Sequence, residues 1–68
     1  MTTVIRLWQI EDRGESIRFA TAPPDRDERK VTISRSVIEH ISRGPVLPNG
    51  WRVCEVRLPD WLIIKEDL

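Results

Sequence analysis

Proline and glycine cut this chain into short pieces. Gly14, Pro23-Pro24, Gly44-Pro45, Pro48-Asn49-Gly50 and Pro59 punctuate it along its length. Proline lacks an N–H and fixes φ at about −65°, so it does not enter the interior of a helix or a central strand. Glycine supplies the positive φ that tight turns require. The segments between these breaks are rich in Val, Ile and Trp. Such a chain is expected to be mainly β, with short strands joined by marked turns. At 68 residues it makes a single small domain, 1–68. A chain of that length buries only about 60% of its unfolded surface, so the core is thin.

Residues 3–11, Thr3-Val4-Ile5-Arg6-Leu7-Trp8-Gln9-Ile10-Glu11, read as a strand. Alternation puts Val4, Arg6, Trp8 and Ile10 on one face and Ile5, Leu7, Gln9 and Glu11 on the other. Asp12-Arg13-Gly14 turns the chain into a return strand over 15–22, with Ile17, Phe19 and Thr21 aligned. Pro23-Pro24 and the six charges Asp25-Arg26-Asp27-Glu28-Arg29-Lys30 make an exposed loop. Val31-Thr32-Ile33 is a short strand. Ser36 with Glu39 three residues later fits a capping box, and Val37, Ile38 and Ile41 follow at helical spacing. They predict a brief central helix, stopped by Gly44-Pro45.

Pro48-Asn49-Gly50 is a turn, and 51–58 alternates strongly. Trp51, Val53, Glu55 and Arg57 form one set; Arg52, Cys54, Val56 and Leu58 form the other, which reads as the buried one. Asp60 caps a last helical turn, Trp61 to Glu66, with Trp61 turned into the core. The expected architecture is mainly β with a minor helical part. It is a small curved sheet or partly closed SH3/OB-like barrel of about four strands, with one short central helical turn and one at the C-terminus. Closure would also remove exposed edges.

Charge excludes several function classes. Lys plus Arg number 11 and Asp plus Glu number 11, and the two signs balance in 1–34 and again in 35–68. Generic polyanion binding depends on excess cationic charge that releases counterions, so it is disfavoured here. The single cysteine, Cys54, cannot form an internal disulfide, and its strand position suits a small buried hydrophobe better than a nucleophile. His40 stands beside Glu39 with no serine or cysteine in a recognised arrangement. Ser34-Arg35-Ser36 lacks the glycine-rich loop of a phosphate site, and capping explains it better. The carboxylates of Asp25, Asp27 and Glu28 are interleaved with cations that oppose metal binding. No enzyme, cofactor or metal site is expected. The N-terminus is not read as a signal peptide, and the longest apolar run, Trp61 to Ile64, is far short of a membrane span. The expected location is cytoplasmic, the host cytoplasm if the chain is phage-encoded.

Two stretches carry a family resemblance. Val31-Thr32-Ile33-Ser34-Arg35-Ser36-Val37-Ile38 looks like the "V-W-I-P-K-S-x-I" box of small phage and prophage accessory proteins of unassigned function. Val56-Arg57-Leu58-Pro59-Asp60-Trp61-Leu62-Ile63-Ile64-Lys65-Glu66-Asp67-Leu68 resembles their "V-x-[VL]-P-x-W-L-A-x-K-x-G-L" ending. Here Thr32 stands where tryptophan is usual, Ser34 for proline, Ile63 for alanine and Asp67 for glycine. The resemblance implies a phage-type accessory protein with a small barrel-like fold, and carries over no catalytic residue.

Three tryptophans and one phenylalanine are the whole aromatic content. Arg6 shares a strand face with Trp8, and Arg57 shares one with Trp51. Exposed Trp with Arg is the composition of a protein–protein hot spot. The expected function is a non-enzymatic interaction module that binds a host protein or complex as a stoichiometric inhibitor, of anti-CRISPR or other anti-defence type. Its docking residues would be Arg6, Trp8, Trp51, Arg52 and Arg57, with a polar rim from Asp25, Arg26, Asp27, Glu28 and Arg29. The alternative is a small nucleic-acid-binding barrel that stacks a single strand on Trp51, Phe19, Arg18 and Arg52. No membrane partner is expected. Edge strands leave a homodimer open as an oligomeric state.

Overall fold

A computed structural model describes residues 1–24 and 29–68. The chain runs β1 (Thr2–Asp12), β2 (Ser16–Ala20), β3 (Lys30–Ser34), a 3₁₀ turn (Arg35–Val37), β4 (His40–Val46), β5 (Arg52–Pro59) and α1 (Asp60–Glu66). The strands form one antiparallel sheet in the order β3-β2-β1-β5-β4. β1 is central because it is long enough to pair on both sides. Thr2 to Gln9 run against Pro59 to Arg52 of β5, and Trp8 to Asp12 run against Ala20 to Ile17 of β2.

Register assigns the faces. Ile5 lies opposite Val56, Leu7 opposite Cys54, Phe19 opposite Val31, and Ile17 opposite Ile33. These residues point to one side; with Leu58 and Leu62 they make up the core, except Ile5, which is half-buried and packs against it, while Phe19, Ile17, Cys54, Val56 and Leu58 are wholly buried. α1 follows β5 directly and packs over this face. Its entry is held where the Asp60 N–H donates to Met1 O (3.0 Å) and Thr3 Oγ1 donates to Asp60 Oδ1 (2.7 Å). Its exit is an αL residue, Asp67, whose N–H bonds Ile64 O.

The structure corrects the expected architecture in several places. There are five strands rather than four, and the sheet stays open instead of closing into a barrel. The segment expected to be helical holds only a three-residue 3₁₀ turn and then becomes β4. The Ser36–Glu39 capping box does not form: Ser36 Oγ meets Ser34 Oγ at 2.9 Å, and the Glu39 N–H donates to Arg57 O at 3.0 Å. Pairing with β5 therefore overrides the local helical signal, as tertiary context commonly does. Val37, Ile38 and Ile41 still pack against the core, from a turn and a strand instead of a helix.

Trp61 is not in the core. It is 58% exposed, and Leu62 takes the inward position at 8%. A 100° step per residue separates neighbours on a helix, so only one of the two can face the sheet. A bulge at Ile10 shifts the register, which sets Glu11 opposite Arg18 and Asp12 opposite Ile17. Glu11 therefore leaves the face of Ile5 and Leu7, and Asp12 takes the core side. Leu62→Ala is expected to cost about 2–5 kcal/mol by cavity formation, and Trp61→Ala less than about 0.5–1 kcal/mol. Urea denaturation followed by circular dichroism measures both.

Candidate functional site

No described element covers the face of the sheet opposite α1. Register builds it in rows. Val4, Arg57 and His40 form one row across β1, β5 and β4; Arg6, Glu55 and Ser42 form the next. Trp8 then lies between Val53 of β5 and Ala20 of β2, which brings in Lys30 of β3. Val4 is 46% exposed, Arg6 and Arg57 are exposed, and Trp8 and Val53 are half-buried. Ala20 is wholly buried although it sits on this side, directly opposite Trp8. A solvated sheet face ordinarily carries mostly polar side chains. This one alternates aliphatic and indole groups with cations.

Trp51 stands immediately before β5, with the parity of Val53, and is half-buried. Its backbone is fixed by the turn ahead of it: the Leu47 N–H donates to Trp51 O at 2.6 Å, and the Trp51 N–H donates to Asn49 Oδ1 at 3.0 Å. Gly50 completes that turn at φ 93°. The open face thus includes Arg6, Trp8 and Arg57, with Trp51 at one end. Arg52 does not join them. It pairs with Gln9 and Val46 and has the parity of buried Cys54 and Val56, so it belongs to the other side.

The expected polar rim changes too. Asp25, Arg26, Asp27 and Glu28 lie outside the described residues. Arg29 serves the fold, since its guanidinium donates to the backbone carbonyls of Glu66 and Asp67. These carbonyls end α1, where a cation complements the helix dipole and its unpaired acceptors. The residue set proposed for nucleic acid is also split. Phe19 is in the core, Arg18 is on the open side opposite Thr32, and Arg52 is on the other.

A second polar group lies on the core side, at the β1–β2 turn. The Arg35 guanidinium donates to Asp12 Oδ2 (2.5 Å) and Gly14 O (2.6 Å), and the Gly14 N–H donates to Asp12 Oδ1 (2.9 Å). Arg43 of β4 reaches Asp12 Oδ2 at 3.6 Å and Gln9 Oε1 at 3.1 Å. One carboxylate therefore ties the segment after β3 to the opposite edge strand. The hydrogen bond from Arg35, helped by the Gly14 N–H, holds the Asp12 carboxyl below its ordinary pKa. With Arg35 engaged in this way, Ser34-Arg35-Ser36 works as a structural corner, and a three-residue turn offers no anion site.

The sheet keeps the two candidate reactive side chains apart. His40 is exposed on the open side of β4, while Cys54 is buried on the core side. Burial pushes the Cys54 thiol pKa up, away from a reactive thiolate. No group of His, Cys, Asp and Glu suited to a metal occurs among the described residues. No helix there is long and apolar enough to cross a membrane. Compared with protein-family models, curated proteins and solved structures, the chain matches none.

Sequence reasoning missed one pair of surface residues. Trp61 and Ile64 (79% exposed) lie three apart on the outer side of α1. The i, i+3 spacing is visible in the sequence, but which face of the short helix turns outward is not.

Because Asp12 has a lowered folded-state pKa, its stabilising effect is present above the ordinary carboxylate value of about 3.9 and is lost as pH falls through the folded value. Asp12→Asn should therefore be less stable than wild type at pH 6, with the gap closing below about pH 4. Thermal melts across pH test this. Cys54 should react with a disulfide reagent at least about a hundredfold more slowly in the folded chain than in urea, because exchange requires opening of the core.

Proposed function

We propose that the chain is a non-enzymatic interaction module that binds a host protein stoichiometrically, using the open face of its sheet. The observation that supports this most is the Arg6–Trp8–Arg57 grouping on a face that no described element covers, with Val4 opposite Arg57 and Val53 opposite Trp8. Indole and guanidinium groups gain most from desolvation against a complementary surface, and they dominate interface energetics. Glu55, opposite Arg6, gives the patch both signs of charge, which favours orientation of a partner over bulk attraction. Zero net charge agrees with recognition by contact rather than by long-range steering.

The resemblance of the 31–38 and 56–68 segments to small phage accessory proteins suggests the partner class. The reading is an inhibitor of a host defence or replication machine, of anti-CRISPR or other anti-defence type, acting by covering a surface in the cytoplasm. Trp61 and Ile64 form a separate apolar patch on the outer side of α1, across the sheet from the proposed docking face. The nucleic-acid reading lacks a single face that carries its residues.

The test is capture of a partner from host lysate on the immobilised chain, then affinity measurement with the purified partner. Trp8→Ala and Arg57→Glu should each weaken binding by roughly thirtyfold or more, as hot-spot residues do, while circular dichroism stays unchanged. If both variants fold and keep the partner at wild-type affinity, the face is wrong. A salt-titrated gel shift on single-stranded DNA and RNA should show no complex. A salt-dependent shift would favour the nucleic-acid reading instead.

A further inference from the structure

An open sheet leaves two edges, and here they differ sharply. The β4 edge carries Gly44 and Pro45 within an irregularity of register between Arg43 and Val46. Pro45 has no N–H to offer, and a bulged edge does not template an incoming strand. The β3 edge, Lys30-Val31-Thr32-Ile33-Ser34, has neither proline nor bulge, and its register with β2 is unbroken.

The hydrogen-bond parity of β3 can be read from its ends. The Thr21 N–H donates to Arg29 O at 3.0 Å, and the Arg35 N–H donates to Glu15 O at 2.8 Å. In an antiparallel ladder, directly bonded pairs alternate with unbonded ones. Between these two bonded ends, Ile17–Ile33 and Phe19–Val31 are bonded pairs, and Ser16–Ser34 and Arg18–Thr32 are not. The N–H and C=O groups of Thr32 and Ser34 therefore point away from β2, towards the free edge. Both residues are exposed.

We propose that the chain forms a two-fold symmetric homodimer by antiparallel pairing of β3 with β3 of a second copy, centred on Thr32. Centring there sets Thr32 against Thr32 as a doubly hydrogen-bonded pair. Val31 then meets Ile33 on the core side, and Lys30 lies opposite Ser34, so no like charges face each other. Thr–Thr and β-branched pairs are favourable cross-strand neighbours. A register shifted by one residue would set Val31 against Ser34 and lose that match. A second copy fits this edge because the segment is complementary to itself. Since β4 is blunted, pairing uses one edge per copy, and the assembly closes at two chains instead of growing into a fibre. The dimer joins two sheets into one and leaves the Arg6–Trp8–Arg57 face of each open, so it stands independently of the function proposed above.

A five-residue strand pair is smaller than the roughly 1,200 Å² of a standard stable interface, so the dimer is reversible and depends on concentration. Sedimentation of the full chain from low to high concentration, with amide hydrogen exchange at each, tests it. The mass should rise from 8.0 kDa towards twice that value, with the Thr32 and Ser34 amides gaining protection in parallel. Thr32→Lys places like charges at the symmetric pair and should weaken dimerisation at least about fivefold. Thr32→Pro should abolish it by removing the central donors. If Thr32→Pro does not fold, Thr32→Lys, at an exposed position, carries the test. A wild-type mass that stays at one chain overturns the proposal. So does a dimer whose Thr32 amide exchanges freely, or one that Thr32→Lys leaves intact.

Discussion

A single sheet in a short chain has enough apolar material for one covered face, and the rest of this structure follows from that limit. β1 sits at the centre, and Leu7 on its inner side belongs to one buried cluster with Phe19, Cys54, Val56 and Leu62. The covering layer is as small as a layer can be, a seven-residue helix with one fully inward residue, Leu62. The helix is anchored at both ends by contacts distant in sequence: Thr3 and Met1 at its start, and the Arg29 guanidinium at its end. Isolated helices of this length do not persist in water. Burial of Leu62 and these end contacts hold α1 in place.

The same limit accounts for the outer face and the edges. Once Phe19, Leu7 and Leu62 fill the core, the described residues offer Trp8 and Trp51 no second layer to enter, and both lie half-buried. Trp61, displaced by Leu62, faces water. Asp12 compensates in part for the missing closure. It ties Arg35, just after β3, to Arg43 on β4, and so joins the two margins of the sheet by charge where backbone pairing stops short.

Much of this was legible in the sequence, for identifiable reasons. β1, β2, β3 and β5 announce themselves by β-branched alternation, and the parity of Arg6 with Trp8 and of Cys54 with Val56 carries directly into three dimensions. That parity also separates Arg52 from the tryptophan face. β4 was not legible. His40-Ile41-Ser42-Arg43-Gly44-Pro45-Val46 has one inward apolar residue, and its strand character comes from β5 rather than from itself. The choice of Leu62 over Trp61 was hidden for a similar reason: the phase of a short helix is set where it is tethered. The bulge at Ile10, which hands Asp12 to Arg35, leaves no glycine or other local mark.

The central claim is that the sheet has one sealed face under α1 and one open face bearing Arg6, Trp8 and Arg57. Solution NMR with a soluble paramagnetic agent tests it most directly. Resonances of Val4, Arg6, Val53 and Arg57 should broaden strongly. Those of Leu7, Phe19, Val56 and Leu62 should persist, with Leu62 methyl contacts to the core. Strong broadening of Leu62 and Phe19 together, or protection of the Val4–Arg57 row in the isolated chain, would contradict it.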